Sequence, residues 1–281
     1  MNKTYILLLV VLGGFVAMGG LLLSYMAAVN KETKVVFLNI GQGDAILLSQ
    51  GKNQVLIDGG RTSKELLAHL GRYVPFWDRK IEVVIATHPD ADHIGGFPGL
   101  FQAYQVEKVL TTGAESSTET SHLFQEGAQE TRSGLTKVFR GTTLTFPQGG
   151  TLTVEYPETP LPKETSDTNE GSVVARFVYG ETSFLFTGDL PHEETVLTDE
   201  EPVTVLKAAH HGSKYSTSQA FLDKIRPQEA IISVGQNNYG HPDVGVLERL
   251  KNIGARIYRT DQEGDIRYDC RELSSCAASV Y

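Results

Sequence analysis

The chain has few cysteines and little positive charge. Its 281 residues include two cysteines, too few for a disulfide framework or a cysteine-rich zinc module. Its 25 lysines and arginines are outnumbered by 34 aspartates and glutamates, and the net charge of −9 argues against bulk electrostatic binding of nucleic acid. It does not exclude brief contact with nucleic acid at a metal site. The hydrophobic share of 40% and charged share of 21% are ordinary for a globular protein, which excludes wholesale disorder, collagen and coiled coil.

Residues 5–29 form a long uncharged run near the N-terminus. A transmembrane helix needs about 20 apolar residues, whereas the apolar region of a signal peptide has about 7–15. The length therefore predicts one transmembrane anchor helix within residues 1–33, although Ala27 and Ala28 offer a cleavage site that would make the protein secreted. Lysines flank the run on both sides, so the distribution of positive charge favours neither orientation in the membrane. We expect the rest of the chain to lie outside the cell membrane, because single N-terminal anchors usually export the domain that follows.

Strand patterns dominate the chain after this run, and helical spacing is interleaved with them. Strands are predicted over residues 34–40, 45–49, 54–58, 82–87, 106–111, 152–156, 172–179, 183–187, 203–208, 229–234, 255–259 and 265–268. Helices are predicted over residues 64–73, 217–224 and 244–252, and an exposed loop or lid over residues 111–122. This order predicts an α/β fold in which two sheets pack face to face with helices outside, a four-layer αββα sandwich.

The predicted sandwich occupies residues 34–269 and leaves a short tail at residues 270–281. The tail carries Cys270 and Cys276. These two cysteines either close a small loop in an oxidising compartment or stay unpaired.

Four candidate metal ligands fall within one short loop after the apolar strand 82–87. They are His88, Asp90, Asp92 and His93. A lone histidine is usually structural, but two histidines and two aspartates this close reverse that expectation, because burying them without a cation would be costly. The loop therefore predicts a metal site at the end of this strand.

The sequence around this loop resembles the metallo-β-lactamase superfamily, whose central motif is His-x-His-x-Asp-His. It is most similar to the subgroup of the hydrolase domain of the competence protein ComEC and its stand-alone relatives. The other matching segments, in order, are N-I-G-Q-G-D at 39–44, L-I-D-G-G at 56–60, N-E-G-S at 169–172, F-T-G-D at 186–189, L-K-A-A-H-H-G-S at 206–213 and N-Y-G-H-P at 238–242. The resemblance covers residues 34–268 and implies the αββα fold and a metal-dependent hydrolase.

The resemblance also implies two divalent metal ions that share Asp189. Candidate ligands of the first ion are His88, Asp90 and Asp189, with Asn169 standing where relatives carry a third histidine. Candidate ligands of the second ion are Asp92, His93, Asp189 and His211. Because Asp90 replaces a histidine of the family motif, the first position is rich in oxygen, which moves the expected metal from Zn²⁺ towards Mn²⁺.

Roles for the remaining residues follow from the same resemblance. With no serine or cysteine nucleophile motif in view, the simplest attacking group is a metal-bound hydroxide, with Asp92 as ligand and orienting base. His211 is favoured as the ligand, and His210 as a catalytic neighbour or a contact to a phosphate oxygen. Candidate substrate-binding residues are Asp44, Asn169, Ser172, Lys214 and His241, and Lys207 and Arg259 are further candidate phosphate contacts. His241 fits a structural role in its Gly-His-Pro turn equally well.

Three functions remain open at this point. The leading hypothesis is a metal-dependent phosphodiesterase or DNase outside the membrane. The alternative keeps the fold but hydrolyses a smaller phosphodiester, such as a phosphorylcholine ester on a cell-wall polymer, or a lactam or thioester. The third is a non-catalytic, membrane-anchored metal-binding module. A basic groove beside the metals would favour DNA over a small substrate, and no protein partner is indicated.

Overall fold

The computed structural model describes residues 5, 11–21, 32–164, 167–198, 201–271 and 274–280, and two β-sheets and seven α-helices build the part from residue 32 onward. The strands are β1 Thr33–Phe37, β2 Ile46–Gln50, β3 Asn53–Ile57, β4 Lys80–Ala86, β5 Gln105–Thr111, β6 Leu135–Lys137, β7 Thr143–Thr145, β8 Thr151–Tyr156, β9 Val174–Tyr179, β10 Thr182–Phe186, β11 Val205–Lys207, β12 Glu229–Ile232, β13 Arg256–Arg259, β14 Ile266–Arg271 and β15 Ser275–Val280. The helices are α1 Ser63–Tyr73, α2 Ala91–Ile94, α3 Phe97–Ala103, α4 Glu119–Gln129, α5 Gln219–Ile225, α6 Val244–Asn252 and α7 Thr260–Glu263.

The first sheet has eight strands in the order β15-β14-β1-β2-β3-β4-β5-β6, and the second has seven in the order β13-β12-β11-β10-β9-β8-β7. Strands β3 to β6 run parallel to one another, and so do β10 to β13. The loops that carry the predicted metal ligands follow the carboxyl ends of these parallel strands. They meet at one edge of the sandwich, because His93 after β4 lies 3.2 Å from Asp189 after β10.

Three buried apolar clusters separate four layers, which confirms the predicted sandwich. Side chains alternate between the two faces of a strand, so Val35 of β1 joins the cluster between the sheets whereas Val36 joins the cluster under the helices. In the second sheet Phe184 points into the cluster between the sheets, and its neighbour Leu185 packs in the outer cluster with Phe221 of α5.

The structure contradicts two of the predicted assignments, and it adds elements that the sequence analysis did not predict, namely β6, β7, α2, α3 and α7. Residues 119–129 form helix α4 where the sequence predicts part of an exposed loop, and the Thr118 side chain caps this helix by accepting a hydrogen bond from the Ser121 N–H. The predicted tail instead extends the first sheet, because β15 pairs antiparallel with β14. Cys270 and Cys276 are opposite each other in this pairing and form a disulfide bond.

Most of the predicted anchor, residues 5–29, lies outside the described residues. Residues 11–21 are helical and exposed. Within the described segments, no helix has the length and apolar character needed to cross a membrane.

Candidate metal centre

His93 is held by an aspartate from a neighbouring strand. It lies in the short helix α2, and its Nδ1–H donates to Oδ2 of Asp58 at 2.8 Å. Asp58 follows β3 and also accepts the backbone N–H and the hydroxyl of Thr87, at 2.8 and 2.7 Å. One carboxylate therefore joins the ends of β3 and β4 and fixes the ring of His93 with Nε2 directed away from it.

His88 follows β4 and has a similar arrangement. Its Nδ1 lies 3.0 Å from Oγ1 of Thr87 and 3.4 Å from Oγ of Ser172. Because the Thr87 hydroxyl already donates to Asp58, its oxygen accepts from the Nδ1–H of His88. The side chain of His88 is fully buried, and its ring centre lies 4.1 Å from that of His93.

His210 and His211 occupy a tight turn after β11 in which both have left-handed backbone angles, with φ of 49° and 55°. This turn separates the two rings, whose planes are 80° apart. His211 is buried, and its Nδ1–H donates to the carbonyl oxygen of Ser233 at 2.8 Å. His210 is partly exposed, with 29% of its side chain accessible.

Asp189 lies at the centre of the histidines. It follows β10, and its backbone N–H donates to Oγ of Ser172 at 3.1 Å. Its Oδ2 lies 3.2 Å from Nε2 of His93, 3.4 Å from Nε2 of His211 and 3.8 Å from Nε2 of His210. Asp92 approaches from the other side, with Oδ2 3.6 Å from Nε2 of His211.

These side chains form overlapping groups whose potential ligand atoms lie within 4.8 Å of one another. The relevant groups are His88 with His93 and Asp189, Asp92 with His93 and His211, and Asp44 with Asp189 and His211. Within the described part of the chain, the Nε2 atoms of all three histidines and Oδ1 of Asp189 are buried without a hydrogen bond. Leaving so many buried polar atoms unpaired is costly unless an ion pairs with them. The donor set therefore fits divalent metal ions.

Asp90 and Asn169 lie at the side of this cluster. Oδ2 of Asp90 is 3.9 Å from Nε2 of His88, and its Oδ1 accepts a hydrogen bond from the Thr168 hydroxyl at 2.6 Å. Asn169 follows Thr168, and its Oδ1 is another buried atom with no hydrogen-bond partner among the described residues. Asp90 thus places a carboxylate oxygen on the His88 side, where the sequence predicts the first ion.

The electrostatics of the cluster favour the charged form of its central carboxylate, Asp189. Burial disfavours the charged form of Asp189, but the neighbouring His211 and His93 hold the pKa of this carboxyl well below its ordinary range. Burial likewise opposes protonation of His93, yet the charges of Asp189 and Asp58 raise its pKa well above the ordinary value. For His88, burial and the charge on His93 lower the pKa to about 3. A divalent cation would replace the proton of His93 in this field of carboxylates.

Lys207 and Asp44 form a buried ion pair that sequence reasoning missed. Lys207 is fully buried, and its Nζ contacts Oδ2 of Asp44, donates to the carbonyl oxygen of Gly188 at 2.8 Å and lies 3.7 Å from Oδ1 of Asp189. The sequence analysis predicted that Lys207 contacts a phosphate and that Asp44 binds the substrate. The structure instead places both beneath the cluster, where they brace the turn that carries Asp189. A lysine at the end of an apolar strand was the available signal.

The other candidate substrate residues differ in burial and in the contacts that they make. Ser172 is fully buried, and its Oγ lies near Nδ1 of His88 and accepts the backbone N–H of Asp189. His241 is partly buried, and its ring centre lies 5.3 Å from that of His210. Lys214 is exposed and lies 4.9 Å above the ring of Tyr215. Arg259 pairs with Asp261 at 2.7 Å.

Comparison with known proteins decides the family. A sequence model described as the metallo-beta-lactamase superfamily matches residues 38–236. The chain belongs to this superfamily. The predicted resemblance is confirmed, and membership in the metallo-β-lactamase superfamily indicates, in general terms, a metal-dependent hydrolase with divalent metal ions.

Curated relatives confirm the similarity to competence proteins. The chain is 33% identical to ComE operon protein 3 of Bacillus subtilis over 92% of its own length and 36% of that protein. It is 28% identical to Recombination protein 2 of Haemophilus influenzae over 82% of its length and 28% of that protein, and 27% identical to Competence protein ComA of Neisseria gonorrhoeae over 86% and 33%. The chain thus spans about a third of the length of these relatives.

Solved structures support the metallo-β-lactamase fold. The metallo-beta-lactamase fold protein YhfI of Bacillus subtilis aligns with a TM-score of 0.59 and 15% identity, over 85% of this chain and 100% of that protein. CmlA of Streptomyces venezuelae, a diiron beta-hydroxylase, aligns with a TM-score of 0.54 and 14% identity, over 86% of this chain and 54% of that protein. At such low identity these likenesses concern the fold alone.

Proposed function

We propose that this chain is a metal-dependent phosphodiesterase that acts on DNA and is held at the cell membrane by its N-terminal segment, with the metal centre outside. One observation carries the catalytic part of the proposal. Three buried histidines each have Nδ1 held by a fixed acceptor and Nε2 close to Asp189 without a hydrogen bond. Donors fixed in this way hold a metal site before any metal binds.

The number of donors supports two ions. His88, Asp90, Asp92, His93, Asp189 and His211 supply more ligand atoms than one tetrahedral ion accepts. The mixture of imidazole and carboxylate groups suits Zn²⁺ or Mn²⁺. Bound divalent ions supply Lewis acidity and activate water for attack on phosphorus.

The residues of the chain provide the positioning. Asp58 and Ser233 fix the rings of His93 and His211 and so fix where their Nε2 atoms point. On the accessible side, His210 lies beside Asp189, and His241 stands next to His210. We assign to these two rings the contact with the non-bridging oxygens of the phosphate, and to His210 the transfer of a proton.

The relatives favour DNA as the substrate. The names of two of them, Recombination protein 2 and Competence protein ComA, refer to recombination and competence, processes in which DNA is handled. A phosphodiester is also the bond that a dinuclear centre of this kind is suited to hydrolyse.

A groove near the centre favours a second candidate, a small phosphodiester or cell-wall ester. The groove has a volume of about 620 Å³ and is lined by Gln42 and Tyr239, with Tyr239 5.8 Å from the ring of His241. Among the described residues that line the groove, Arg61 is the one cation and Glu65 the one anion. This surface is neutral rather than basic, which suits a small substrate better than a long polyanion.

Hydrolysis of end-labelled DNA by the purified chain tests the proposal. We expect cleavage that needs added Mn²⁺ or Zn²⁺, stops with a chelator and is lost in His88→Ala. His122→Ala serves as the matched control, because His122 is exposed on α4 and belongs to none of the groups of potential ligands, so the change should leave both metal content and cleavage unchanged.

Three outcomes separate the candidates. Metal-dependent cleavage of DNA supports the nuclease. A folded, metal-loaded protein that hydrolyses bis(p-nitrophenyl) phosphate but leaves DNA intact would replace DNA with a small phosphodiester. A protein that retains no metal on equilibrium dialysis contradicts the enzyme proposal itself.

A further inference from the structure

Two neighbouring aromatic side chains, Phe76 and Trp77, project from the loop between α1 and β4. They are 79% and 62% exposed, and their rings meet edge to face at 4.8 Å. We call residues 75–78 the aromatic loop. Among the described residues outside the helical segment 11–21, no other two consecutive large apolar residues are both so exposed. Contiguous apolar surface of this kind marks a site of interaction.

The aromatic loop lies at the edge of the sandwich opposite the metal centre. Trp77 precedes the first residue of β4, Lys80, by three residues, a length of at most about 11 Å. Strand β4 runs parallel to β3, which is antiparallel to β2, which in turn is antiparallel to β1. Strands β1 and β4 therefore begin at the same edge, and the metal ligands follow strand ends at the other edge.

The uncharged N-terminal run leads to this same edge. It ends at Val29, four residues before β1 begins at Thr33, so the chain between them spans at most about 14 Å. Strands β1 and β4 are three places apart in the sheet, a lateral separation of about 14 Å. A membrane that holds residues 5–29 is thus within reach of the aromatic loop.

We infer that the aromatic loop inserts into the interface of the lipid bilayer and fixes the domain with its metal centre directed away from the membrane. The inference rests on the membrane anchor of the proposed function. Tryptophan is enriched at this depth of membranes because its ring is apolar at one end and carries an N–H at the other. Phe76 supplies additional apolar surface.

The charges near the loop, including the anion Asp78 within it, argue against attraction to anionic lipid as the source of the contact. Lys80 is paired with Glu82 at 3.2 Å and with Glu107 at 2.9 Å, and the guanidinium of Arg79 lies 5.8 Å from the ring centre of Tyr104. The local cations thus already have partners within the protein. We therefore expect the same contact with zwitterionic and with anionic vesicles.

Trp77 is the sole tryptophan of the sequence, so intrinsic fluorescence reports on this position alone. The full chain is reconstituted into phosphatidylcholine vesicles with and without lipids brominated in their acyl chains, which quench tryptophan on contact. We expect a blue-shifted emission relative to the protein in buffer with a non-ionic detergent, and loss of most of the emission in brominated vesicles. Phe76→Ser should reduce the quenching.

A control variant moves the tryptophan to the opposite edge. Trp77→Phe combined with Tyr239→Trp places the fluorophore at a site where the native tyrosine is 70% exposed beside His241. Its emission should be equal in plain and brominated vesicles.

The outcomes distinguish this inference from the function on which it rests. Vesicle-bound protein whose Trp77 emission is unquenched would overturn the inference and leave the anchor intact. Protein that does not sediment with vesicles would overturn both the anchor and the inference, while the DNA assay judges the phosphodiesterase separately. Equal quenching of Trp77 and of the tryptophan at position 239 would also contradict the inference, because only one edge is expected to meet the membrane.

Discussion

The carboxylate of Asp58 lies 2.8 Å from Nδ1 of His93, and Asp58 carries the backbone strain of a left-handed conformation, with φ of 57°, to reach it. A buried carboxylate that accepts a hydrogen bond from a metal-binding histidine fixes the ring and makes Nε2 a better electron-pair donor to the metal. Asp58→Asn should therefore weaken metal binding about 10–100-fold. Isothermal titration with Mn²⁺ measures this, with Asp223→Asn, an exposed aspartate on α5, as the control. Unchanged affinity in Asp58→Asn would show that the contact does not orient the ligand.

Alanine variants of His210 and His211 should have different defects. His211 is buried with Nε2 3.4 Å from Asp189, so His211→Ala should reduce the metal content of the purified protein. His210 is accessible, so His210→Ala should keep the metal and lower kcat. Metal analysis of both variants beside their hydrolysis rates measures the difference, and loss of metal in His210→Ala alone would reverse the assignment.

The buried pair of Lys207 and Asp44 should be strongly coupled. Lys207→Met leaves Asp44 without its cation in the interior, and the expected loss in the free energy of unfolding is about 3–5 kcal/mol. Asp44→Asn combined with Lys207→Met should lose less than the sum of the single changes. Urea unfolding of the metal-free proteins completes the double-mutant cycle, and additive losses would show that the pair is not coupled.

Glu193 gives the stability a pH dependence near neutrality. It is fully buried, both of its oxygens lie 2.9 Å from the N–H of Thr217, and burial raises its pKa from 4.5 to about 7. Since the folded state binds the proton more tightly, the contribution of this group is fully present below pH 4.5 and is lost as the pH rises through 7. The loss is on the order of 3 kcal/mol.

Glu193→Gln removes this titration. The free energy of unfolding of the variant, relative to the unaltered protein, should rise between pH 4.5 and 7 and then level off. Chemical unfolding at several pH values in the presence of a chelator measures the difference. A difference that is flat across this range would contradict the raised pKa of Glu193.

The disulfide between Cys270 and Cys276 should stabilise the β14–β15 hairpin. The two cysteines are six residues apart, and closing so short a loop is worth about 2 kcal/mol in the free energy of unfolding. The double variant Cys270→Ser, Cys276→Ser should lose that amount in urea unfolding. The unaltered protein treated with a reductant provides the comparison, and equal stability of all three forms would assign no stabilisation to the bond.

The sequence predicted most of the strands and the candidate metal ligands that follow them, because an apolar run and the ligand residues after it are adjacent in the chain. The αββα sandwich and the grouping of His88 and His93 follow from such local patterns. Helix α4 was missed because its buried positions, Ser121, Phe124 and Ala128, give a weak apolar stripe. Strand β15 was missed because its sequence, S-C-A-A-S-V, has little alternation of apolar and polar residues.

Relations between distant residues could not be read from the sequence. Lys207 ends β11 of the second sheet, whereas Asp44 lies just before β2 of the first sheet, and each alone fits a role in binding substrate. The fold brings them together beneath Asp189, where the charge of one neutralises the other. Asp58 and Ser233, the partners of the candidate ligands His93 and His211, follow other strands, so these contacts appear only when the sheets are assembled.

Pairing of β1 with β14 sets the order in which the domain is completed. Val35 of β1 lies opposite Tyr268 of β14, so the central part of the first sheet joins residues from the two ends of the domain. Contacts between such distant segments form late and slow the folding rate. During synthesis, the edge of β1 that pairs with β14 therefore stays unpaired until residues 266–280 have been made. A chain that is halted before β14 leaves that edge free to pair with other chains.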